Sequence, residues 1–140
     1  MRRLLILALF IGALTSCSDG EITKTEGDVR IWLHESGFVT GGLDGEVFGT
    51  MAYDFTNRCM YLEHGGSRSP VIWPSGARIL NDDPVTLKVK GETVAEGDSV
   101  YGSGGYHDPN RFEVIPRECF GSTSEVARFN ADSEIEVNQR

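Results

Sequence analysis

No run of apolar residues in this sequence is long enough to cross a bilayer. The most apolar stretch, "LLILALFIGA" from Leu4 to Ala13, falls far short of the roughly 20 residues that a helix needs to span a hydrocarbon core about 30 Å thick. Basic side chains are also scarce, 13 against 21 acidic ones, for a formal charge of −8. Such a surface repels phosphate backbones, and nucleic acid is excluded as a partner. Only three histidines occur, and His34, His64 and His107 stand singly, in "HE", "EH" and "HD", without the close ligand pairs of a zinc site. They read as surface residues at strand ends, and no metal or other cofactor is expected. Nor does "NDDPVTLKVKGE" have the alternating oxygen ligands of a calcium loop, so Asp82 and Asp83 read as a turn. Helical periodicity is missing too: Thr50 to His64 and Ser122 to Arg140, the longest stretches free of glycine and proline, sustain no period of 3.6.

What the sequence does have begins at its first residues. Met1, Arg2 and Arg3 precede the apolar stretch, and small residues follow it, which is the order of an export signal. Leu14-Thr15-Ser16-Cys17 resembles the lipobox of bacterial lipoproteins, an aliphatic residue and two small ones before a cysteine. The alternative is a plain signal peptide with a chance cysteine. The resemblance implies a signal over residues 1–16, cleavage before Cys17, and a diacylglyceryl group on that sulfur. Two or more acyl chains anchor stably, at about 0.8 kcal/mol per buried CH₂. The membrane is then a partner, met at the extracytoplasmic face of the bacterial cell envelope. In a cell with two membranes, Ser18 rather than aspartate after the cysteine favours the outer one. Loss of Arg2 and Arg3 with the signal takes the charge from −8 to −10.

Of the three cysteines, assigning Cys17 to lipid leaves Cys59 and Cys119 as a pair. Export puts them where disulfides persist, and closing so long a loop stabilises a fold by about 4 kcal/mol in the chain-entropy model. The alternative is two buried free thiols.

Removing 16 of the 140 residues leaves a chain suited to one domain. Residues 17–28, ending in "SDGEITKTEGD", read as the lipidated N-terminus and a flexible tether. Residues 29–140 read as a single β-rich domain. "VTLKVK" alternates, with Val85, Leu87 and Val89 on one face, and "VRIWLH", "CMYLEH" and, more loosely, "GEVFGTMAY" do likewise. Short strands between turn clusters predict an all-β fold: a small antiparallel barrel, OB-like or SH3-like, or a compact sandwich, with little or no helix outside the signal. The text from "CMYLEH" through "PVIWPSG" and "VAEGDSVYGSGG" to "ECFG" is similar to uncharacterised small β-domains of exported bacterial proteins. That resemblance carries no activity and implies only a barrel closed by Cys59 and Cys119.

The glycines of "YGSGGYHDPNRF", Tyr101 to Phe112, match neither a phosphate-binding loop nor a nucleophile elbow, because the required lysine and glycine spacing are absent. The stretch reads as a wide hairpin loop rich in aromatic residues. Trp73 precedes Pro74, which ends its strand there. Trp73, Tyr101, Tyr106 and His107 are therefore the candidate ligand-binding rim, against the alternative that they fill the core. No catalytic residue is expected. The expected function is a noncatalytic binding or structural domain for an envelope protein or small ligand. The alternatives are an extracytoplasmic hydrolase or a metal-handling lipoprotein.

Overall fold

The computed structural model describes residues 20–35, 42–121 and 125–139. Cys17 and the signal over 1–16 lie outside them. The described chain is almost entirely strand: β1 (Glu21–Glu26), β2 (Val29–His34), β3 (Gly45–Asp54), β4 (Cys59–His64), β5 (Ser67–Trp73), β6 (Arg78–Asp82), β7 (Val85–Val89), β8 (Glu92–Ala95), β9 (Ser99–His107), β10 (Val126–Phe129) and β11 (Ile135–Asn138). Two single 3₁₀ turns, Pro109–Arg111 and Arg117–Cys119, interrupt the connection from β9 to β10. Among the described residues no helix is long and apolar enough to cross a membrane.

Five strands close on themselves. β3 pairs with β4, β4 with β5, β5 with β10, β10 with β9, and β9 with β3 again. Of these five pairings only β5–β10 is parallel. In chain order this is first, second, third, fifth, fourth and back to first, the Greek-key order of an OB-type barrel. β6, β7 and β8 form a separate three-stranded antiparallel sheet inserted between the third and fourth barrel strands. The alternation in "VTLKVK" is realised there, with Val85, Leu87 and Val89 fully buried. They join Val47, Met51, Leu62, Val71, Trp73 and Phe129 in the main core.

The expected tether is corrected from Glu21 onward. Glu21–Glu26 pairs along its full length with β2, from Glu21 opposite His34 to Glu26 opposite Val29. Gly27 and Asp28 form the two-residue turn, and Gly27 supplies the left-handed backbone, φ 56°, that such a turn demands. Charge did not leave this segment free, because an edge strand needs few apolar side chains and Lys24 and Glu26 face solvent. Glu21 is instead tied down: its carboxylate pairs with the Arg128 guanidinium at 2.8 Å.

A second, smaller core lies on the outer side of β2, β4, β5 and β10. Trp32, Tyr61, Ile72 and Val126 are covered there by Phe112, Ile115 and Cys119. The cover is the β9–β10 connection, a strap pinned to β4 by the Cys59–Cys119 disulfide, whose Cα atoms are 5.6 Å apart. The Arg30 guanidinium lies 5.5 Å from the Trp32 ring centre and approaches both sulfurs, at 3.9 Å from Cys59 Sγ and 3.7 Å from Cys119 Sγ.

Candidate functional site

The predicted rim does not assemble. Trp73 is fully buried, stacks on Phe129 with ring centres 5.4 Å apart, and donates its indole N–H to Met60 Sδ at 3.2 Å. It faces the core because Leu33 and Trp73 are register partners at the end of the parallel β2–β5 ladder. The expected loop also proves to be strand as far as His107. Its glycines serve close packing rather than looping: a Cβ on Gly102 would come within 2.8 Å of Ser133 Oγ and 2.9 Å of Phe129 Cε1.

The other three candidates sit on β9 but in different surroundings. Tyr106 packs against the main core and donates its hydroxyl to the Phe48 carbonyl at 3.1 Å, so it braces β3. His107 lies against the strap, edge-on to Phe112 at 5.8 Å. Arg111 Nη1 is 3.1 Å from His107 Nδ1; a guanidinium only donates, so Nδ1 accepts and Nε2 carries the proton. Burial, then the charges of Arg111 and Arg128, hold this imidazole below its usual pKa. Tyr101 alone of the four is exposed. His107 lies six positions further along the strand, about 20 Å of β9 away.

Tyr101 does belong to an aromatic surface, with partners the sequence reading missed. Phe48 on β3 is its register partner, and the two rings are 37% and 38% exposed. His64, at the end of β4, meets Phe48 edge-on with ring centres 4.1 Å apart. The Tyr101 hydroxyl donates to Glu46 Oε1 at 2.6 Å, and that bond to a carboxylate is the main cause that raises the phenol pKa. On the other side of β9, Glu136 of β11 is the register partner of Tyr101. Phe48, Glu63, His64, Thr50, Ser99, Tyr101 and Asn138 line a shallow cleft of about 290 Å³ there. The signal for Phe48 was available: Val47 and Met51 are buried, so Glu46, Phe48 and Thr50 take the outward parity of β3.

A second cleft, about 390 Å³, lies beside the disulfide between Tyr61, Arg68, Glu118 and Phe120. In OB-type barrels ligands commonly meet the second and third strands and the flanking loops. Here those strands are β4 and β5, and the strap already covers their outer face. Arg68 lines the cleft that is left, lying 4.8 Å from the Tyr61 ring centre and pairing with Glu63 at 2.7 Å.

The histidines stay apart. His34 is fully buried, not at a surface, with Nε2 2.7 Å from the Phe129 carbonyl oxygen. A carbonyl only accepts, so Nε2 carries the proton and Nδ1 is left without a partner among the described residues. Burial chiefly, with the charges of Arg128 and Lys90, lowers the pKa of this ring against the opposing hydrogen bond to Phe129. Among the described residues no group of three histidine, cysteine or acidic side chains is placed to hold a metal ion. No family model, curated protein or solved structure matches this chain.

Proposed function

We propose that this chain is a lipid-anchored protein of the bacterial cell envelope, held by Cys17 on the extracytoplasmic face of a membrane, the outer one in a cell with two. Its β-domain binds a partner and does no chemistry. One observation carries the binding reading: two large aromatic rings, Phe48 and Tyr101, stand a third exposed side by side on a closed barrel whose customary ligand face is partly covered by the strap. Aromatic side chains bring large contact area at small entropic cost, and a rigid strand pair presents them without a folding penalty. The anchor rests on "LTSC" behind the apolar run.

Because β1 starts at Glu21, only Ser18, Asp19 and Gly20 separate the lipid from the first strand. Three residues reach about 11 Å at full extension, so the domain rides against the headgroups instead of floating on a long tether. Detergent phase partitioning tests the anchor: the native protein enters the detergent phase, Cys17→Ala the aqueous one, and equal partitioning refutes it. A photo-crosslinking residue at Tyr101 tests the face. It should trap a discrete partner in intact cells that the same residue at Thr86, on the inserted sheet, does not; identical products from both sites would refute the assignment.

A further inference from the structure

We propose that the Phe48–Tyr101 face receives a basic segment of a second protein, with lysine or arginine side chains lying over the two rings and pairing with Glu46 and Glu136. This rests on the reading of that face as the binding surface and names its partner.

The register places ring, ring and carboxylate in one outward row across three strands: Phe48 on β3, Tyr101 on β9, Glu136 on β11. Neighbouring strands are about 4.8 Å apart, so one cation over the row reaches a ring face and a carboxylate together, within the roughly 6 Å over which cation–π attraction acts. Glu46, two residues from Phe48, is held toward the row by the hydrogen bond from Tyr101. Both carboxylates add their charge at the Tyr101 hydroxyl. Among the described residues neither Glu46 nor Glu136 pairs with a basic side chain, and Glu63, which also lines the cleft, is already engaged by Arg68. Among the described residues the row therefore has no cation of its own, and it suits positive charge brought by a partner.

Geometry also sets the size of the partner. Small-molecule sites enclose most of their ligand, whereas this cleft is shallow, with a volume of about 290 Å³. A free amine would keep most of its water there. A protein segment spreads its contacts over several side chains, and a few buried anchors then carry the affinity. The acidic net charge, −8 in the full chain and −10 without Arg2 and Arg3, steers such a partner and repels acidic ones.

The test uses the full mature lipoprotein in non-ionic micelles and four labelled probes: a nonapeptide alternating lysine or arginine with neutral residues, its glutamate counterpart, spermidine, and chitotetraose. The basic peptide should bind, about tenfold more weakly to the Phe48→Ala/Tyr101→Ala variant, as two exposed cation–π contacts imply. Glu46→Gln/Glu136→Gln should weaken it similarly while leaving the rings in place, and its affinity should fall as salt is raised past a Debye length of about 10 Å. Unchanged melting temperatures exclude misfolding as the cause. Binding of chitotetraose in preference to the peptide, equal binding of the glutamate peptide, or tighter binding of spermidine each overturns the proposal. So does absence of any binding, while crosslinks from Tyr101 in cells would still uphold the face as a contact surface for a partner of other chemistry.

Discussion

Replacing both Cys59 and Cys119 with alanine should cost this domain about 4 kcal/mol. The two residues are separated by 60 positions, and constraining a loop of that length in the unfolded chain is worth about 4 kcal/mol at 25 °C. That is a large part of the 5–15 kcal/mol by which small domains are typically stable. The structure adds a local consequence. Cys119 pins the strap that seals Trp32, Tyr61 and Ile72 from water, so losing the bond frees Phe112 and Ile115 to lift away. Arg30 keeps its carbonyl partners Asn57 and Arg58 and should hold the turn before β4 in place. Urea unfolding of the mature protein reads the global effect: with a slope near 2 kcal/mol per molar, the midpoint should fall by about 2 M. Hydrogen exchange reads the local one, with amides of residues 109–121 losing protection while those of β7 keep theirs. A loss under about 1 kcal/mol with strap protection intact would refute the reasoning, since the strap would then be holding itself.

Three further outcomes follow from particular side chains. Trp73→Ala, which empties a fully buried site against Phe129, should cost about 3–5 kcal/mol, whereas Tyr101→Ala should stay within about 0.5 kcal/mol; similar losses from both in denaturant titrations would mean core and surface had been exchanged. His34 and His107 are both held below the usual imidazole pKa by burial, so the unfolded chain takes up their protons first. Stability is then full above pH 6.5 and declines as pH falls from there toward the lower folded values, and His34→Gln should flatten that slope between pH 7 and 5, an unaltered slope counting against the assignment. Glu21→Ala strands the largely buried Arg128 and should cost about 3 kcal/mol or more, with faster exchange along β1; no change in either would return residues 21–26 to the tether.

The all-β fold was legible because its strands carry their own pattern. Val85, Leu87 and Val89 alternate with polar residues and are buried as expected, and the cysteine count pointed to the bond that forms. β1 was missed although "EITKTEGDVR" contains a hairpin signal, two strand-length runs around Gly-Asp; its high charge outweighed it. In "VRIWLH" the alternation placed Val29, Ile31 and Leu33 inside, but Trp32 and His34 are fully buried as well. Nothing local predicts that. Trp32 is sealed by a strap far along the chain, and His34 by a carbonyl of β10, so both depend on long-range closure. The aromatic rim failed for the same reason: Trp73 stands at a strand end in sequence, yet the parallel β2–β5–β10 ladder encloses it.

The account turns on Cys17, and intact-mass spectrometry of the protein extracted from membranes tests it most directly. The predicted species begins at Cys17, has lost residues 1–16, carries a diacylglyceryl group on that sulfur and contains one disulfide. A chain that retains Met1, or begins elsewhere with an unmodified Cys17, would contradict it.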